Sequence, residues 1–183
     1  TLWSRSIMFK HIKNVTVAGN ATTLNIDNVF DDTYQIYKCI FTDFQVQTQF
    51  DNDSMTTRLL DSSGNGISTG YDHAQLYARG FSATYLELKN TSTTHINAVY
   101  VSTAANNGNT NGVMYWYYPY AARPTFMHWQ VSGKSKYSTV RGTMQKGGGV
   151  LNTTAQCRGF QFIARAECGN LTSGKVSVYG LKE

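Results

Sequence analysis

The chain has 183 residues, 41% apolar and 15% charged, with 16 basic and 11 acidic side chains giving a net charge of +5. That length suffices for one well-packed core, and the composition excludes a disordered chain. No run approaches the roughly 18 apolar residues of a membrane-spanning helix, and the basic residues are scattered from Arg5 to Lys182 instead of forming a nucleic-acid footprint.

Apolar residues recur in short alternating or continuous runs, and no 3.6-residue period persists over ten residues, so the code is β almost throughout. In chain order the predicted strands are 7–12, 23–29, 34–44, 55–60, 74–81, 85–88, 96–102, 113–118, 125–131, 137–144, 158–166 and 175–181. β-Branched and aromatic residues dominate them, and the two prolines, Pro119 and Pro124, fall between two of them. Turn-forming clusters at 61–66, 106–112, 146–149 and 169–174 supply residues that tolerate positive φ and bond their own backbone. Many short strands with no helix to cover a parallel sheet predict an all-β, antiparallel two-sheet β-sandwich of the jelly-roll kind. We expect a single domain over 1–183, with 1–22 as a lead-in strand or arm. The N-terminal residues carry no continuous apolar stretch of the sort a secretory signal needs.

Three cysteines, Cys39, Cys157 and Cys168, make an odd number without CxxC spacing. Neither a zinc site nor a disulfide framework is expected, and free thiols suit assembly in a reducing cytoplasm. His11, His73, His95 and His128 each lack a neighbouring imidazole at ligand spacing. The acidic pairs Asp31-Asp32 and Asp51-Asn52-Asp53 lack the full spacing of a calcium loop. Asp72 and His73 are adjacent, and adjacent strand residues face opposite ways, which makes a poor acid–base pair. No catalytic, metal or cofactor-binding residue is predicted, and no cofactor.

The aromatic residues are the outstanding feature. They concentrate in Tyr115-Trp116-Tyr117-Tyr118-Pro119-Tyr120 and in Phe126-Met127-His128-Trp129. Flat rings with a polar handle suit a core, a subunit interface or a sugar-stacking platform. Tyr115, Trp116, Tyr117, Tyr118 and Trp129 are the candidate interface or glycan-stacking residues. In 113–120 both faces are apolar, as they are around Tyr37, Cys39 and Phe41 opposite Ile36 and Ile40. A covering neighbour is therefore expected, with Tyr115, Tyr117 and Trp129 as contact residues.

Two stretches carry a resemblance. The opening runs from Phe9-Lys10-His11-Ile12-Lys13-Asn14-Val15 through Leu24-Asn25-Ile26 to Thr33-Tyr34-Gln35-Ile36-Tyr37. The closing stretch is Cys168-Gly169-Asn170-Leu171-Thr172-Ser173-Gly174-Lys175-Val176-Ser177-Val178-Tyr179-Gly180. Together they resemble bacteriophage and prophage virion structural proteins of the tail-fibre or minor-component type, with Cys168 where that pattern has serine. The resemblance implies a non-enzymatic protein at the particle surface, of tail-fibre, tail-tip or receptor-binding type, assembled in the host cytoplasm. It also implies a homotrimer, other virion proteins as partners and a host surface glycan as a possible ligand. The alternatives are a capsid decoration protein or a lectin-like carbohydrate-binding module.

Overall fold

The computed structural model describes residues 8–48, 55–80, 84–99, 101–103, 109–134 and 142–182. Among the described residues thirteen strands run in the order β1 (Met8–Thr16), β2 (Thr23–Ile26), β3 (Ile36–Val46), β4 (Met55–Leu60), β5 (Tyr71–Arg79), β6 (Leu86–Thr93), β7 (Ile96–Val99), β8 (Ser102–Thr103), β9 (Thr110–Tyr117), β10 (Thr125–Lys134), β11 (Gly142–Leu151), β12 (Gly159–Ala164) and β13 (Leu171–Lys182). They form the expected sandwich of two antiparallel sheets, and the sheets are very unequal. The larger has the order β1-β13-β3-β9-β10-β11-β5-β6, with β8 joining β3 in parallel, while the smaller is β2-β12-β4-β7.

The core lies between the inner faces. From the larger sheet β3 contributes Tyr37, Cys39, Phe41, Phe44 and Val46, β9 Met114 and Trp116, and β10 Met127, Trp129 and Val131, all buried. Phe160 and Phe162 on the central strand of the smaller sheet interlock with them. Phe160 lies 5.4 Å from Trp116, tilted, and 5.8 Å from Phe30, stacked, while Phe162 meets Phe41 at 5.5 Å and Phe44 at 5.4 Å edge to face. Burying one such ring is worth about 1.5–3 kcal/mol. A hydrogen bond also crosses between the sheets, from the Leu59 amide on β4 to the Tyr71 hydroxyl on β5, at 2.9 Å.

Inward residues of β3 are spaced by two up to Phe41 and then by three to Phe44. Asp43 absorbs the extra residue with a positive φ of 58°, and the pairing with β9 slips between Phe41 and Phe44. The Asp43 amide donates to Asn111 Oδ1 at 3.0 Å and its carbonyl accepts from Ser173 Oγ at 2.6 Å, so the bulge is held on both sides.

Several expectations change. The 146–149 cluster is not a turn: Gly147, Gly148 and Gly149 lie inside β11, paired with both β10 and β5. Of the 169–174 cluster only Gly169 and Asn170 precede a strand, because β13 begins at Leu171 and takes up the remaining irregularity as bulges. Residues 137–141 and 51–53 lie outside the described residues. The lead-in is, over Met8–Thr16, an edge strand on β13. All three cysteines are buried free thiols.

Candidate binding face of the larger sheet

The side chains of the larger sheet that point away from the core form rows across all eight principal strands. One row, read from the pairing register, is His11, Tyr179, Lys38, Tyr115, His128, Gly148, Ala74 and Lys89. The adjacent row is Phe9, Leu181, Ile36, Tyr117, Phe126, Val150 and Asp72. Strand alternation dictates this placement, since Phe126, His128 and Gln130 take the phase opposite to the buried Met127, Trp129 and Val131.

Contacts within the rows make the face partly self-shielding. The Tyr115 ring stacks on His128 at 4.7 Å and 27°. The Tyr117 hydroxyl hydrogen-bonds His128 Nδ1 at 2.9 Å. Lys38 Nζ sits 5.0 Å from the Phe9 centroid and 5.9 Å from that of Tyr115, and His11 meets Tyr179 edge-on at 5.4 Å. Desolvation lowers the His128 pKa and raises that of Tyr117. The shift favours the uncharged imidazole at neutral pH. Phe126 remains 50% exposed and Phe9 42% exposed, so the aromatic surface is available to a partner.

Of the five candidate residues the structure brings Tyr115 and Tyr117 together on this face. Trp116 and Trp129 belong to the inner face of the same sheet and are fully buried, because they alternate with outward neighbours in β9 and β10. Trp129 is therefore no contact residue. Tyr118 joins neither face: a positive φ of 58° ends β9 there, and Arg123 caps its ring at 3.4 Å. The covering neighbour inferred from two apolar faces is replaced in part by contacts within the sheet, which leave Ile36, Ile40, Val113, Tyr115 and Tyr117 half-buried. Sequence reasoning missed His128 as the partner of both tyrosines, although its phase with Phe126 carried the signal.

The other polar candidates have structural roles. Asp31 accepts hydrogen bonds from the Thr33 amide and the Tyr37 hydroxyl, which closes the loop before β3. Asp72 lies on the outer face while His73 is buried on the inner one. Among the described residues no three His, Cys, Asp or Glu side chains come together as a metal site.

No family model and no curated protein matches the chain. Among solved structures it is similar to a Shewanella oneidensis protein of unknown function, at 13% identity and a TM-score of 0.32, over 97% of this chain and 76% of that one. It is also similar to a GH54 α-L-arabinofuranosidase, at 8% identity and TM-score 0.32, over 95% of this chain and 37% of that one. A third is lectin I-B4 from Griffonia simplicifolia, at 10% identity and TM-score 0.24, over 97% and 96% of the two chains. Likeness at these scores carries no functional argument.

Proposed function

We propose that this chain is a non-catalytic bacteriophage virion structural protein, of the tail-fibre, tail-tip or receptor-binding kind, and that it works by binding through the outer face of its larger sheet. The carrying observation is that face itself: eight strands wide, uncovered among the described residues, and bearing the ordered Tyr115–His128–Tyr117 cluster. Monomers seldom leave large apolar patches unused. The separation of Asp72 and His73 onto opposite faces argues against an acid–base pair made of these two. The virion placement rests on the resemblance of the two ends of the chain to phage structural proteins.

Immunogold labelling of purified particles tests the reading. Label on the tail supports it, label on the head favours the capsid decoration alternative, and particles without the protein contradict both. In the homotrimer that the phage resemblance implies, Tyr115 and Tyr117 are the contact residues on this face. Light scattering of a stable monomer at micromolar concentration would assign them to ligand binding instead.

A further inference from the structure

The outer face has a basin where β11 meets β5. Gly148 and Ala74 pair there and between them present a single methyl group. His128 and Gln130 stand on one side, Lys146 and Leu76 at one end, and Lys89 and Glu87 on the far side, enclosing about 550 Å³.

The glycine run explains why the basin is open. A Cβ on Gly147 would collide with Trp129 Cζ2 and lie 2.7 Å from the Ala74 carbonyl, and one on Gly149 would lie 3.1 Å from the Asp72 carbonyl. Core packing thus requires glycine at 147 and leaves little space for a side chain at 149. Gly148 points outward, and its Cβ would meet only the Met127 carbonyl at 3.5 Å, an ordinary contact. Its φ is not in the left-handed region either. Neither packing nor backbone geometry calls for glycine at 148, and a strand interior is weakened by it. Its missing side chain leaves open the ground between this basin and the adjoining hollow, whose lining shares Ala74 and Lys89 with it.

The rim has a definite chemistry. Tyr115 covers one face of the His128 imidazole and Tyr117 fixes its Nδ1, so a rigid ring borders the basin on the Gly148 side. Lys89 stands across the basin from it and Lys146 at one end, neither in an ion pair among the described residues. Of the two nearby carboxylates, Asp72 is engaged by the Ser92 amide and by Asn152 Nδ2, which leaves Glu87. From Tyr115 to Lys89 is four strand spacings, about 19 Å.

We propose that this basin binds an acidic saccharide: a sugar ring bearing a carboxylate, set within a polysaccharide, stacked on His128 and paired through its carboxylate with Lys89 and Lys146. A single nucleic-acid strand also likes rings and lysines, but it needs a basic track along its whole backbone, and here Glu87 and Asp72 interrupt one. The inference rests on the outer face being the working surface. Because it is tested on isolated protein, it fails or stands independently of where the chain sits on a particle.

The experiment is calorimetric titration of the full chain with polygalacturonate, dextran and an oligothymidylate, for wild type, Gly148→Leu and the double variant Lys89→Gln/Lys146→Gln. Polygalacturonate should bind, more weakly as salt rises, with dextran and oligothymidylate at least about tenfold weaker, or 1.4 kcal/mol. Gly148→Leu should lose about tenfold or more, and the double variant, which fills no space, a similar factor at low salt. Circular dichroism and light scattering establish that each variant keeps its fold and size. Absence of polygalacturonate binding, equal binding of dextran, tighter binding of oligothymidylate, or wild-type affinity in a folded Gly148→Leu overturns the proposal.

Discussion

Adjacent glycines in one strand should respond in opposite ways to the same methyl group. In Gly147→Ala the new carbon enters the core side of β11, inside contact distance of Trp129 and 2.8 Å from Gln75 Cβ. Trp129 is fully buried, so its ring has little room to retreat. Overpacking of this kind costs about 1–3 kcal/mol. In Gly148→Ala the carbon enters open space, and lower chain entropy in the unfolded state together with better strand geometry should gain about 0.5–1 kcal/mol. The two variants should therefore differ by about 1.5–4 kcal/mol, with each kcal/mol moving Tm by about 2–4 °C in a domain of this size. Thermal and urea melts side by side measure the gap. Equal melting of the two, or a less stable Gly148→Ala, would refute the assignment of inner and outer faces in β11.

Three further outcomes follow from the packing. Tyr71→Phe strips the buried Leu59 amide of its partner between the sheets and should cost about 1–3 kcal/mol, read as a lowered urea midpoint; an unchanged midpoint would remove that bond from the account. Burial is the first cause lowering the pKa values of His73, His95 and His128, so the folded chain binds fewer protons than the unfolded one near the ordinary histidine value of about 6.5. Their stabilising contribution is complete above that pH and is lost as pH falls through the lower folded values, so the urea midpoint should drop between pH 7.5 and 5.5; a flat or rising midpoint would contradict it. Desolvation also pushes the Cys39 thiol far up and that of Cys157 up to about 12, so a thiol reagent should react slowly with native protein and titrate three thiols after unfolding without reductant. Finding only one thiol would mean a disulfide.

Local pattern was enough to read most of the strands and to put Tyr37, Cys39 and Phe41 on one face opposite Ile36 and Ile40, because alternation in a strand is a property of neighbouring residues; which face is inward it did not say. What the sequence concealed depends on distant partners. A run of three glycines has the chemistry of a turn, and only the approach of Trp129 and of β5 on the core side shows why it is a strand. The positive φ of Asp43 and Tyr118 shifts or ends a strand with no glycine to announce it. Trp116 and Trp129 looked like contact residues because aromatic clustering does not say which face is inward; their phase relative to polar His128 and Gln130 does. The pairing of Tyr115 with His128 is set by the β9–β10 register, which no single segment reveals.

The central claim, that the outer face of the larger sheet is the binding surface of a virion protein, is tested most directly by lysine footprinting of purified particles with and without host envelope. The account predicts that peptides of this chain are present and that Lys89 and Lys146 lose reactivity when envelope is added. Lys13 serves as the internal reference, its amine already donating to the Asp27 carbonyl at 2.7 Å. Unchanged reactivity at Lys89 and Lys146, or particles that lack the chain, would contradict it.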